Sequence, residues 1–95
     1  MRYQFSAEKN LCLIQERHIS FEEVIAAIDN GQLLNVMAHP NQEKYPNQKM
    51  FVLEINGYVY LVPFVAVDQQ TIFLKTIFAS RRAKKKYTSG KEGKR

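Results

Sequence analysis

The sequence predicts an α+β domain in which two N-terminal helices pack on a four-stranded, mainly antiparallel sheet, followed by a short basic helix. Three observations carry that expectation. Two helix starts fall within the first thirty residues, an Asn-Gly pair divides two apolar runs near the centre, and a Lys/Arg-rich segment free of Gly and Pro follows the last apolar run. At 95 residues the chain has room for one core and a shallow site, and no second catalytic domain.

Ser6 is placed to cap a first helix from Ala7, on which Ala7, Leu11, Ile14 and His18 recur at helical spacing as a modest apolar stripe. His18 lies where that helix should close, and Cys12 reads as a small core or boundary residue. The second helix is better marked. Ser20-Phe21-Glu22-Glu23 is a capping box, in which the Ser20 hydroxyl and the Glu23 carboxylate each satisfy a backbone N–H. Phe21, Val24, Ile25 and Ile28 then follow helical spacing to Asn30-Gly31, placing the helix at about residues 21–30.

After Gly31 the period becomes two. Leu34, Val36 and Ala38 alternate with Asn35, Met37 and His39 as a short strand that Pro40 stops, and residues 41–49 read as a polar loop. Met50 to Ile55 and Tyr58 to Val62 flank Asn56-Gly57, the pair a type I′ hairpin turn favours because both central residues need positive φ. That turn sets Ile55 opposite Tyr58, Leu53 opposite Tyr60 and Phe51 opposite Val62, all on one face. Val52, Glu54, Val59 and Leu61 occupy the other, so the second hairpin strand is apolar on both sides and should be central. Thr71 to Phe78 is expected as the fourth strand. Arg81 to Tyr87 then forms the basic helix, which bounds the domain at 1–87 and leaves 88–95 as a disordered basic tail.

The formal charge of +5 is unevenly spread. Residues 81–95 hold eight basic side chains against one acid, while the first eighty hold six against eight. Attraction for a polyanion is therefore concentrated in Arg81, Arg82, Lys84, Lys85 and Lys86, followed by Tyr87. Guanidinium groups grip phosphate through paired hydrogen bonds, ammonium groups add point charge, and a tyrosine offers a stacking face or a phenolic proton. The same run also reads as a solvated charge cluster.

His39, at a strand end, has the chemistry of a general acid or base, although a loop histidine without a catalytic role is the commoner case. Tyr58 and Tyr60 offer either core packing beneath the helices or a platform for bases. A Ser-His-Asp triad, a Gly-rich phosphate loop and a Cys/His metal cluster are absent from the sequence, so neither metal nor cofactor is expected. The lone Cys12, the lack of a signal-peptide apolar stretch and the shortness of the Tyr58–Val67 run, which Pro63 interrupts, read as a cytoplasmic protein with no membrane association.

Three segments together resemble the BrnT toxins of bacterial type II toxin–antitoxin systems, which have a RelE-like fold. They are Phe5-Ser6-Ala7-Glu8-Lys9-Asn10, Ile19-Ser20-Phe21-Glu22-Glu23-Val24 and Ala79-Ser80-Arg81-Arg82-Ala83. The resemblance implies the order α-α-β-β-β-β-α and a ribonuclease that blocks translation. It also implies an antitoxin partner with a ribbon-helix-helix domain, through which alone operator DNA would be bound. By this resemblance Arg81 falls on the arginine after the last strand, Arg82 on the basic residue that follows, and Lys49 on a basic residue opening the first hairpin strand. The family's arginine inside the last strand aligns with Thr76. Lys75 is one position off and, by strand alternation, should face the other side of the sheet. Phe5 replaces a tryptophan, Ser6 an aspartate and Tyr87 a glutamate.

Metal-free RNA cleavage uses the neighbouring 2′-hydroxyl as nucleophile and needs a base, an acid and positive charge around the phosphate. On that mechanism Arg81 and Lys85 stabilise charge. Lys84, Lys85 and Lys86, crowded by like charges, are candidates for proton transfer, with Tyr87 and His39 as competitors. Lys49, Lys75, Arg82, Lys84 and Lys86 would bind RNA. A different class remains open, a non-catalytic module whose basic end binds nucleic acid or an acidic protein segment, as does an inert member of the fold.

Overall fold

The computed structural model describes the backbone of residues 1–92 and the side chains of residues 1–87. Its elements are β1 (Arg2–Gln4), α1 (Ala7–Arg17), α2 (Phe21–Asp29), β2 (Leu33–Ala38), β3 (Gln48–Ile55), β4 (Tyr58–Ala66), β5 (Thr71–Leu74), β6 (Phe78–Ala79) and α3 (Arg81–Glu92). The α+β class holds, with six strands where four are expected. The sheet runs β1-β5-β4-β3-β2, and β6 pairs with β4.

Local chemistry sets the first helices as read. The Ser6 hydroxyl accepts from the Lys9 N–H, and Ser20 and Glu23 close the capping box. α2 ends in a Schellman turn, with the Gly31 N–H donating to the Ile28 carbonyl and the Gln32 N–H to that of Ala27. His18 ends α1 through its backbone, adopting a left-handed φ of 57° while its N–H donates to Ile14.

The expected apolar stripe of α1 is not the face that packs. Leu11 is 59% exposed and Ile14 41%, Ala7 and Cys12 are exposed too, and the buried residues are Asn10 and Leu13. The reason is the junction with α2. Asn10 Oδ1 accepts from the Phe21 N–H at 2.8 Å, and Asn10 Nδ2 donates to Glu22 Oε1 at 2.8 Å, supplying a partner to a helix-start donor that would otherwise be orphaned. Two turns further, the Arg17 guanidinium donates to the Ile77 carbonyl. The inward stripe is thus Asn10, Leu13 and Arg17, two of them polar, which a search for apolar periodicity passes over.

Asn10→Ala should therefore destabilise the protein by about 2 kcal/mol, because it strands a buried N–H, with a fall in Tm on the order of 10 °C. The hydrogen bond donated by Asn10 Nδ2 holds the Glu22 carboxyl below the usual carboxylate range, with a backbone bond assisting. A lowered folded-state value stabilises above the unfolded value and is lost as pH falls through the folded one. The gap between wild type and variant should accordingly narrow below about pH 4; an unchanged melting curve at neutral pH would sink the assignment.

The hairpin register is as expected, with Ile55 opposite Tyr58, Leu53 opposite Tyr60 and Phe51 opposite Val62, and positive φ at Asn56 and Gly57. β4 is central. The strand expected over Thr71–Phe78 is broken into β5 and β6. Pro63 explains the break: the Lys75 N–H donates to the Pro63 carbonyl at 2.8 Å, but proline has no N–H to return the second ladder bond. Three residues, 75–77, then oppose only Val62 and Pro63 before pairing resumes at Leu61 and Phe78, a bulge that resets side-chain alternation.

β1 is held by parallel pairing of Arg2, Tyr3 and Gln4 with Thr71, Ile72 and Phe73. α1 and α2 cover the face bearing Phe51, Leu53, Ile55 and Val62, and this main core centres on fully buried Phe21, with the Phe5 ring at 4.9 Å. α3 covers the opposite face, where Ala83 and Tyr87 pack with Val52, Val59, Leu34, Met37 and Leu61. The α3 backbone continues to Glu92, five residues beyond the expected helix end and into the segment expected as tail. Gly90 costs a helix interior only about 1 kcal/mol, and no proline intervenes to stop it. Residues 93–95 of that expected tail lie outside the described residues.

Candidate nucleic-acid interface

α3 owes its phase to Ser80. The Ser80 N–H donates to the Val59 carbonyl at 2.9 Å, fastening the helix start to β4, and the Ser80 hydroxyl accepts from the Ala83 N–H at 3.0 Å as an N-cap. With Ala83 and Tyr87 turned to the sheet, the helical step of about 100° per residue distributes the cations. Arg81 and Lys85 lie on the side away from the sheet, Arg82 and Lys86 toward one flank, and Lys84 on the other. All five are exposed.

Three hollows divide the expected site residues. The first, about 280 Å³, has an apolar floor of Met37, Met50, Val52 and Leu61 and a rim that includes Arg82, Lys86 and Tyr87. Here Asn35 Nδ2 donates to the Tyr87 hydroxyl at 2.7 Å, which leaves the phenolic hydrogen available for donation. The second, about 130 Å³, is lined by Tyr58, Val59, Ala79, Ser80, Arg81 and Lys84, with Lys84 Nζ 5.5 Å from the Tyr58 ring centroid.

The third hollow, about 550 Å³, gathers His39, Tyr45, Lys75 and Thr76 with Lys9 and Phe78. The bulge after Leu74 brings Lys75 and Thr76 to this one hollow, where uninterrupted strand alternation would have sent them to opposite faces. His39 is built into its loop: Nδ1 accepts from the Asn41 N–H at 3.0 Å, and the ring lies 4.4 Å from that of Tyr45. Lys49 is exposed on β3, paired with Ala38 and Phe64, and lines none of the three. Lys85 likewise lines none of them.

The two tyrosines of the hairpin part company. Tyr60 is half-buried against the main core, and burial pushes its phenol above the ordinary value, with Tyr58 and Glu23 adding to the shift. Tyr58 is 57% exposed beside the α3 start. Sequence reasoning passed over Ser80 and Asn35. Ser80 was findable, since a serine immediately before a run of helix formers is an N-cap signal; Asn35, one polar residue in a strand, carries no such mark.

Among the described residues no three His, Cys, Asp or Glu side chains gather as a metal site, and no helix is long and apolar enough to cross a membrane. No family model matches the sequence, and no curated protein matches it. Among solved structures, the chain is similar to the ribonuclease toxin BrnT of Brucella abortus, with 16% identity, a TM-score of 0.56 and alignment over 84% of this chain and 96% of that one. The likeness is one of fold: the described architecture is BrnT-like.

Proposed function

With a BrnT-like fold as the premise, we propose that this chain is an endoribonuclease toxin that cleaves RNA without a metal, blocks translation in the cytoplasm and is neutralised by an antitoxin. The observation that carries the reading is α3 itself, a helix with five exposed cations docked on the sheet through Ala83 and Tyr87. Docking distinguishes such a cluster from a charge run on a free tail, because it fixes the side of the fold on which the cations meet phosphate.

In the reaction the RNA 2′-oxygen attacks the adjacent phosphorus and the 5′-oxygen leaves, giving a 2′,3′-cyclic phosphate and a free 5′-hydroxyl. One proton passes from the 2′-hydroxyl to a base, and one from an acid to the 5′-oxygen. Arg81, with Lys85 one turn on, stabilises the charge building on the phosphate. Lys84 and Lys85 lie within a turn of Arg81 and are the proton-transfer candidates there. Tyr87, about 9 Å further along the helix axis, and His39 belong to other hollows. Arg82 and Lys86 take flanking phosphates, and Lys75 and Lys49 serve more distant ones. The antitoxin would bring a ribbon-helix-helix domain and acidic side chains over the basic site, and neutralisation should weaken at high salt.

A second reading, a non-catalytic basic nucleic-acid-binding module, is favoured by one observation: among the described residues lining the hollow at Arg81 there is no histidine or carboxylate. Incubating the purified protein with RNA in EDTA separates the two. Cleavage to 2′,3′-cyclic phosphate ends that survives chelation is expected; binding without cleavage supports the module, and loss of cleavage on chelation would refute the metal-free mechanism.

A further inference from the structure

We propose that Tyr58 is a base-stacking seat for single-stranded RNA, with the phosphate next to that base held by Arg81 and Lys84. The inference rests on the RNA-directed reading above and adds to it the recognition of a base.

Tyr58 stands where two hollows meet. On one side is the small hollow shared with Arg81 and Lys84. On the other is one of about 480 Å³ beneath the α1–α2 junction, lined by Arg17, His18, Glu23 and Tyr60 as well as Tyr58, with Ala79 common to both. The hairpin turn fixes Tyr58 as the first residue of β4, and its pairing with Ile55 holds the backbone still. The residue nevertheless remains 57% exposed. A large aromatic surface kept out of the core and beside cations is the composition of a stacking platform in proteins that bind single strands.

Charge decides which side takes which part of the nucleotide. In the larger hollow Arg17 and Glu23 are already engaged: the Arg17 guanidinium donates to the Ile77 carbonyl, and Glu23 accepts from the Ser20 N–H in the capping box. A phosphate there would meet the Glu23 carboxylate, whereas an uncharged base would not be repelled. Among its described lining residues, the Arg81 and Lys84 side has cations and no acid. Lys84 Nζ already lies 5.5 Å from the Tyr58 centroid, so one cation can bridge the ring and a neighbouring phosphate.

The test uses short 2′-O-methyl oligoribonucleotides, which lack the attacking hydroxyl and so report binding without cleavage. They carry 2-aminopurine, whose fluorescence falls on stacking, flanked by uridines. Wild type should bind and quench the probe. Tyr58→Ala should weaken binding by about 5- to 150-fold and abolish the protein-induced quench, Tyr58→Phe should retain both, and Lys84→Ala should weaken binding while the bound probe stays quenched. Replacing the 2-aminopurine by an abasic site should cost wild type as much affinity as Tyr58→Ala does, and should cost the variant nothing further. Melting curves check that each variant is folded. If Tyr58→Ala binds and quenches like wild type, the seat is refuted while the RNA reading stands. If wild type binds no oligonucleotide at all, the RNA reading fails and takes the seat with it.

Discussion

Phe21→Ala should destabilise the protein by about 3–5 kcal/mol, which is comparable to the whole stability of many small domains. Phe21 is fully buried, touches the Phe5 ring and opens α2, so its removal empties the point where both N-terminal helices meet the sheet. The surrounding elements cannot close the gap. Asn10 fixes the α1–α2 angle through the Phe21 N–H, and the hairpin holds Phe51 and Leu53 in register on the other side. Thermal unfolding monitored by circular dichroism should show Tm lowered by at least about 12 °C, or a chain already unfolded at 37 °C. Leu11→Ala is the matched control: a leucine of the stripe that apolar periodicity picks out, but 59% exposed, it should change stability by less than about 0.5 kcal/mol. Equal losses in the two variants would mean that α1 packs on its apolar stripe after all.

That contrast shows which parts of the fold are legible in the residues. The capping box, the Schellman turn and the Asn56-Gly57 hairpin are closed by groups a few positions apart, so their residue types declare them. The working face of α1, the β1 strand and the break between β5 and β6 depend on partners far along the chain. Asn10 looks like a solvent-side residue until the Phe21 N–H is placed beside it. Pro63 is visible from the start as a missing donor, but its effect falls on residues 75–77, and only the pairing with β5 says so. Lys75 and Thr76 follow: alternation separates them, and the bulge reunites them in the His39 hollow.

The site divides in the same way. The cationic run after the last strand is legible as charge density, yet which cations share a hollow depends on the phase of α3. That phase is set by the Ser80 hydroxyl and by Ala83 and Tyr87 meeting the sheet. A list of nine candidate side chains thus becomes three separate groups, with Lys85 and Lys49 outside them. The consequence is chemical. Arg81 is grouped with Lys84 and Tyr58, and Arg82 with Lys86 and Tyr87, so two adjacent arginines should not do the same thing.

Arg81→Ala should lower kcat for RNA cleavage by about 100-fold or more, the scale of removing a preorganised donor to a developing oxyanion, with Tm unchanged because the side chain is exposed. Arg81→Lys should recover part of the rate, since an ammonium restores charge but not the paired hydrogen bonds of a guanidinium. Arg82→Ala should behave differently. Raising KM severalfold with kcat nearly intact, it would mark a group that grips a phosphate equally in ground state and transition state. Both alanine variants should reduce the salt dependence of RNA binding by less than about one unit of log–log slope, as expected for one lost contact to a single strand. The comparison therefore locates the scissile phosphate. If Arg82→Ala loses kcat while Arg81→Ala loses only affinity, cleavage belongs in the hollow of Tyr87, where the phenol that accepts from Asn35 becomes the proton donor. If Arg81→Ala retains full cleavage and full affinity, Arg81 leaves the site altogether, and the cations beside Tyr58 reduce to Lys84 alone.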